Sequence, residues 1–182
     1  MIGGMLGNNS CGSHSIIYGS TRDHTLEVNG ILSDGSEVLF KTVSNDEFDE
    51  KCLLKNREGE IYRNIKNILS DQKNAIEIRN EYPDKAIKRR NTGYAIDLLL
   101  ETELFSETDV PFNFSKLIAG SEGTLAMITE VKLNLVPLPP KENGVIAAHF
   151  KTLEEAMLAN LIALKYQPGA IELIDKIIVL FS

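Results

Sequence analysis

Gly3-Gly4-Met5-Leu6-Gly7-Asn8-Asn9-Ser10-Cys11-Gly12-Ser13, running on to Tyr18-Gly19, is the stretch on which the reading of this chain turns. It sets glycines among small polar residues, with little bulk between Gly7 and Ser15. Glycine lacks a Cβ, so its backbone takes φ > 0 freely and its N–H groups can come close to a ligand. Asn8, Asn9, Ser10 and Ser13 add short side-chain donors. A loop of this kind suits an anion lying directly on main chain, phosphate above all. The competing reading is a plain surface loop, because Gly/Asn/Ser clusters mark turns in any protein. A Rossmann fingerprint does not apply, since the stretch holds no G-x-G-x-x-G and no strand precedes it. Ligand-binding loops rest on a scaffold, and nothing stands upstream of this one, so the sequence reads as beginning inside a domain.

Working outward, 182 residues allow one domain, or one lobe and part of another. A hydrophobic content of 43% with 25% charged residues is that of a soluble globular protein. The net charge of −7 argues against nucleic acid or an anionic membrane as partner, both of which need a basic face. No apolar run reaches the roughly 18 residues of a membrane span, and Met1-Ile2-Gly3-Gly4 is no signal peptide. The expected home is the cytoplasm. Cys11 and His14 have a C-x-x-H spacing, but no second pair follows, so no metal site is expected.

From Leu26 to Phe40 the pattern gives a β-hairpin around Ser33-Asp34-Gly35-Ser36, with Leu26, Val28, Ile31 and Leu32 as the first apolar set. Ser44-Asn45-Asp46-Glu47 is a capping box that opens a short helix. Ile61, Ile65, Ile68 and Leu69 then recur at helical spacing, continuing towards Ala75 and Ile76 until Tyr82-Pro83-Asp84 ends the helix. Positions 41 to 85 thus read as a helical insertion without chemistry of its own. Lys88-Arg89-Arg90-Asn91-Thr92-Gly93-Tyr94 is either a solvated charge run or a site where Arg90 and Asn91 meet an anion and Tyr94 packs on a flat ring. Residues 95 to 100 read as a helix and 101 to 109 as an acidic loop.

Gly120-Ser121-Glu122-Gly123-Thr124 is another glycine-marked site, at the entrance of a strand in which Leu125, Met127, Val131, Leu133 and Leu135 share one face. Glu122 either faces a ligand or braces the turn through main-chain N–H groups. Pro137-Leu138-Pro139-Pro140 reads as a stiff linker. Beyond it come a strand over 145–150, a helix opened by the capping box Thr152–Glu155, a strand from Ala170 to Leu173, and an apolar element from Asp175 to Phe181. This is the expected start of another domain, broken off at Ser182.

Three of these motifs occur in an order that resembles the FAD-linked oxidases, the family that shares its fold with vanillyl-alcohol oxidase. They are Ile2-Gly3-Gly4-Met5 with Asn8-Asn9-Ser10-x-Gly12 and Tyr18-Gly19-x-Thr21-x-Asp23-His24, then Arg90-Asn91-Thr92-Gly93-Tyr94, then Gly120-Ser121-Glu122-Gly123-Thr124-Leu125-Ala126-Met127-Ile128-Thr129-Glu130. Ala126 stands where the family usually has glycine. Within the family the chain is most similar to the branch of D-lactate dehydrogenase and the glycolate oxidase flavin subunit. The resemblance implies an α+β fold: residues 1–137 as the second lobe of a two-lobed FAD-binding domain, mainly antiparallel sheet with flanking helices, and 138–182 as the beginning of a substrate cap.

It also implies FAD as cofactor. Gly3, Gly4, Met5, Asn8, Asn9, Ser10, Gly12 and Ser13 would follow the pyrophosphate and flavin edge, with Tyr18 and Gly19 continuing them. Asn91 and Tyr94 would join the site, and Gly120, Glu122, Gly123 and Ile128 would touch the adenosine side. The implied reaction is oxidation of a 2-hydroxy acid of the D-lactate or glycolate type, with an iron–sulfur module or a quinone as electron acceptor. No catalytic residue is assigned; His14 and His24 read as structural. The alternatives are a flavoenzyme of this fold with another substrate, and a non-catalytic nucleotide-binding module.

Overall fold

The structure is a computed structural model and describes residues 1–87, 90–91 and 93–175. Lys88, Arg89 and Thr92 of the cationic stretch, and the apolar element expected to run to Phe181, lie outside the described residues from 176 onward or within those gaps. In chain order the elements begin with α1 (Ile2–Gly7), α2 (Ser15–Tyr18), α3 (Thr21–His24), β1 (Thr25–Ile31), β2 (Glu37–Phe40) and β3 (Thr42–Val43). There follow α4 (Asn45–Leu53), α5 (Arg57–Ser70), α6 (Gln72–Glu81) and α7 (Ile96–Leu100). The series closes with β4 (Phe112–Asn113), α8 (Ser115–Ile118), β5 (Met127–Leu133) and α9 (Leu153–Leu164). Helices and small antiparallel sheets make the chain α+β. It divides into two compact units, Met1–Ser10 with Ser20–Leu135, and Cys11–Gly19 with Val136–Ser182.

The first unit is organised on the antiparallel sheet β2-β1-β5. β1 and β2 form the hairpin that the sequence predicts, with Val28 opposite Phe40 and Gly30 opposite Val38. Gly35 takes φ +83° in its turn, and the Asp34 carboxylate accepts from the Ser36 N–H (3.0 Å) and hydroxyl (2.6 Å). β5 pairs with β1 out of the expected phase. Asn29 stands opposite Glu130 and Gly30 opposite Ile128, so Thr129 is skipped. Such a bulge turns every following side chain to the other face. Ile128 and Val131 therefore both pack on the core while Met127, expected on the same face as Val131, is 63% exposed.

The helical insertion supplies much of this core. α4 carries the capping box, with Ser44 Oγ accepting from the Glu47 N–H and Glu47 accepting from the Ser44 N–H. α5 buries Tyr62, Ile65 and Leu69, one step around the helix from the isoleucine stripe that the spacing predicts; Ile68 is exposed. The helix does not continue to Ala75. Asp71 ends it and caps α6, accepting from the N–H groups of Lys73 (2.8 Å) and Asn74 (3.3 Å). Phe48 and Tyr62 meet Phe112 and Phe114 edge-to-face, with Phe48–Phe112, Tyr62–Phe114 and Phe112–Phe114 centroids 4.8, 4.8 and 4.9 Å apart. The Tyr62 hydroxyl is buried without a hydrogen-bond partner among the described residues, and that burial pushes its pKa well up.

In the second unit α9 opens as expected, Thr152 Oγ1 accepting from the Glu155 N–H at 3.2 Å. None of its side chains is buried. The strands expected over 145–150 and at Ala170–Leu173 do not form: these segments have no pairing partner among the described residues. A strand needs a neighbour's ladder, which local sequence cannot supply.

Candidate functional site

The first half of the glycine stretch is a short helix rather than an open loop. α1 runs through Gly3 and Gly4, and Leu6, fully buried, fastens it to the core. It closes on Asn8 and Asn9, whose N–H groups donate to the carbonyls of Gly4 and Leu6, each at 3.1 Å. Asn9 takes φ +49°, a left-handed position that asparagine tolerates. The Leu6 and Gly7 carbonyls at this end also meet the second glycine segment. The Gly120 N–H donates to Leu6 O (2.9 Å) and the Glu122 N–H donates to Gly7 O (2.8 Å). Two motifs more than a hundred residues apart are thus joined main chain to main chain; a Cβ on Gly7 would make an ordinary contact, 3.8 Å from the Glu122 Cα.

Other glycines of the two motifs are uncrowded. A Cβ placed on Gly3, Gly4 or Gly123 would meet nothing within 4 Å. Gly123 (φ +76°) and Glu122 (φ +52°) both sit in the left-handed region, and the Ser121 hydroxyl between these and Gly120 is buried with no hydrogen-bond partner among the described residues. Among the described residues the Glu122 carboxylate is exposed and makes no hydrogen bond or ion pair, so the bracing role is not seen. Thr124 Oγ1 donates to Ser121 O (2.6 Å) and meets the Tyr94 hydroxyl at 2.6 Å, which ties Tyr94 to the turn.

The inner side of the seam is filled. Asn9 is fully buried; its Oδ1 accepts from the Arg22 N–H (2.7 Å) and its Nδ2 donates to Arg90 O (3.4 Å). Arg22 is 2% exposed, and its guanidinium donates to Ala119 O from Nε (3.1 Å) and Nη2 (2.6 Å). Burial, helped by the neighbouring Arg90 charge, lowers its pKa, against the pull of Asp97 and Asp23. Gly120 has φ +90°, and a Cβ on it would stand 2.5 Å from Arg22 Nη2. Its left-handed backbone, with the buried guanidinium against it, favours glycine there, in contrast to Gly3 and Gly4. Lys116 Nζ donates to the carbonyls of Arg22 (3.0 Å), Asp23 (3.2 Å) and Thr25 (2.8 Å), closing the end of α3, and burial lowers its pKa.

Of the cationic stretch, Arg90 pairs with both Asp97 oxygens, one at 2.8 Å, and its guanidinium lies 5.4 Å from the Tyr82 ring centroid. It is therefore engaged within the protein. Asn91 is exposed. Tyr94 is half-exposed, and its carbonyl accepts from the Tyr82 hydroxyl at 2.8 Å, so the end of the insertion props this segment.

The other sequence-predicted residues are distributed as follows. Met5 and Asn8 are exposed beside Gly3 and Gly4, and Ser10 Oγ donates to Asn8 Oδ1 at 2.6 Å. Ile128 packs on the core from β5. Gly12, Ser13, Tyr18 and Gly19 belong to the second unit, where the Gly12 N–H donates to Ser15 Oγ (2.8 Å) and Gly19 takes φ +74°. His14 Nδ1 lies 3.0 Å from Gly169 O in that same unit. Among the described residues no group of three His, Cys, Asp or Glu side chains gathers as a metal would need, and no helix is long and apolar enough to cross a membrane. A surface hollow of about 450 Å³ in the first unit lies over the sheet, lined by Asn29, Glu37, Leu39 and Glu130, and shares no residue with the seam. Arg22, Thr124 and Tyr82 were not legible as site residues, because the contacts that place them, with Ala119 and Gly93, with Tyr94, and again with Tyr94, are not local in sequence.

No family model matches the chain, and no solved structure does. Curated proteins do. D-2-hydroxyglutarate dehydrogenase of Pseudomonas putida is 27% identical over 181 residues, the whole of this chain and 17% of that protein. The glycolate oxidase subunit GlcD of Escherichia coli is 40% identical over 68 residues, 36% of this chain and 13% of that protein. The chain's relatives are 2-hydroxy-acid dehydrogenases and oxidases. D-lactate dehydrogenase of Archaeoglobus fulgidus extends the set, 24% identical over 96% of this chain and 26% of its own length. These 2-hydroxy-acid enzymes agree with the branch that the three motifs resemble, and the chain spans between 13% and 26% of their lengths.

Proposed function

We propose that this chain is part of an FAD-dependent enzyme that oxidises a 2-hydroxy acid, of the class that includes D-lactate, glycolate and D-2-hydroxyglutarate, and that the seam of α1 with the 120–124 turn is its cofactor surface. In this reading residues 1–137 are the second lobe of a two-lobed FAD-binding domain, and 138–182 open a substrate cap. One observation carries the proposal: two glycine motifs distant in sequence meet main chain to main chain, and Gly3, Gly4 and Gly123 in those motifs have open space where a Cβ would stand. A dinucleotide lying on backbone needs such Cβ-free positions. The buried, unpartnered Ser121 hydroxyl beside them suits a polar group brought by a ligand.

In this reading main-chain N–H groups at Gly3, Gly4 and Gly123 would hold the pyrophosphate, and Arg90, already paired with Asp97, would not. Tyr94, steadied by Tyr82 and Thr124, would offer its half-exposed ring for stacking. Bound FAD would supply the hydride acceptor, a capacity of the cofactor and not of the chain. The electron acceptor would be an iron–sulfur module or a quinone. The test is reduction of the full-length flavoprotein by a panel of D- and L-2-hydroxy acids, followed by flavin bleaching. Bleaching by D-2-hydroxy acids supports the proposal; flavin reduced only by a sugar lactone or an alkyl-glycerone phosphate assigns another substrate, and a protein without flavin overturns the cofactor reading.

A further inference from the structure

We propose that Arg22 is a positioning residue that holds three segments of the candidate cofactor surface in register: the end of α1, residues 90–94, and the 119–120 turn. The inference rests on the reading of the seam given above. Arg22 is buried, and among the described residues no carboxylate lies within ion-pair distance of it. A buried cation without a paired anion is costly and persists only where its hydrogen bonds are well met. Here the guanidinium donates to Ala119 O at 2.6 and 3.1 Å and to Gly93 O at 3.4 Å, so one planar fork spans two segments. The backbone N–H of the same residue donates to Asn9 Oδ1, and Asn9 Nδ2 reaches Arg90 O, adding the third.

Each link ends next to a residue of the seam. Gly93 precedes Tyr94, whose hydroxyl meets Thr124. Ala119 precedes Gly120, whose N–H is fixed on Leu6 O. Asn9 closes the helix that carries Gly3 and Gly4. The fit is reciprocal, because a Cβ on Gly120 would stand 2.5 Å from Arg22 Nη2. A lysine at this position keeps the charge but loses the Nε donor and the rigid planar fork, so the paired hydrogen bonds to Ala119 O are not reproduced.

The experiment is site-resolved amide exchange on the 182-residue chain with Arg22→Lys. The expected result is a thermal transition close to that of the unsubstituted chain, with exchange faster by about tenfold or more at Gly120, Glu122 and Tyr94 and unchanged in β1. Acceleration spread evenly over the chain, or none at the seam, overturns the proposal. Should Arg22→Lys fail to fold, Asn9→Asp keeps the acceptor for the Arg22 N–H and removes the donor to Arg90 O. Faster exchange confined to residues 90–94 then supports the proposal, and no change there overturns it. FAD titration of the same variants separates the two readings: weaker FAD binding at unchanged thermal stability ties Arg22 to the cofactor surface. If the unsubstituted chain shows no FAD response, the cofactor reading fails, while the exchange pattern still decides the role of Arg22.

Discussion

α5 and α9 are helices of similar length with opposite fates. α5, in the first unit, carries Arg57, Glu58, Glu60, Arg63 and Lys66 along its length, yet buries Tyr62, Ile65 and Leu69 against the aromatic cluster. α9, in the second, has Leu153, Met157, Leu158, Leu161, Ile162 and Leu164 and buries none of them. Apolar content alone does not bury a helix. A surface of matching shape does, and most helical stability in proteins comes from such packing. Phe48, Phe112 and Phe114 provide that surface for α5. Nothing comparable covers α9 among the described residues.

Side-chain truncation exposes the contrast most strongly. Phe112→Ala removes a fully buried ring that contacts Phe48 and Phe114, and unfolding in urea should show a loss of about 3–5 kcal/mol. Leu161→Ala, at a side chain 60% exposed, should change stability by less than about 0.5 kcal/mol. Equal losses would erase the distinction between the two units.

The glycines of the seam sharpen it within the first unit. Gly120→Ala drives a Cβ onto Arg22 at a positive φ and should cost about 1–3 kcal/mol. Gly4→Ala meets open space inside a helix and should stabilise the fold by about 0.5–1 kcal/mol. The same Gly4→Ala chain should bind FAD more weakly. A glycine whose loss improves folding and impairs binding is kept for a ligand. Unimpaired FAD binding by Gly4→Ala would remove Gly4 from the proposed surface.

A further small effect is electrostatic. Glu101 accepts from Lys85 Nζ at 2.7 Å and Arg79 Nε at 3.4 Å, and the Lys85 hydrogen bond foremost holds its carboxyl below the usual carboxylate range. A carboxylate with a depressed folded pKa stabilises above its ordinary pKa, and that contribution is lost as pH falls through the folded value. Glu101→Gln should therefore cost a few tenths to about 1 kcal/mol at neutral pH, discounted because Lys85 is exposed, and nothing once the pH drops below the depressed pKa. A cost independent of pH would assign the loss to packing.

What was legible in the sequence was local. The hairpin around Asp34-Gly35 and the boxes Ser44–Glu47 and Thr152–Glu155 form because each completes its own hydrogen bonds within a few residues. The phase of β5 was not legible, since the bulge at Thr129 is set by pairing with β1. Burial of Arg22 was hidden for the same reason: Ala119 O and Gly93 O, its acceptors, lie far along the chain. The glycine motifs announced a close main-chain approach, and part of that approach is protein against protein, at Gly7 and Gly120. Only the geometry separates those positions from Gly3, Gly4 and Gly123.

The most direct measurement is a 15N-resolved NMR titration of the chain with FAD. The shifts should gather on Gly3, Gly4, Met5, Asn8, Tyr94 and 122–124, with β1 silent. Shifts confined to the sheet hollow around Asn29 and Glu130, or none at millimolar FAD, would contradict it.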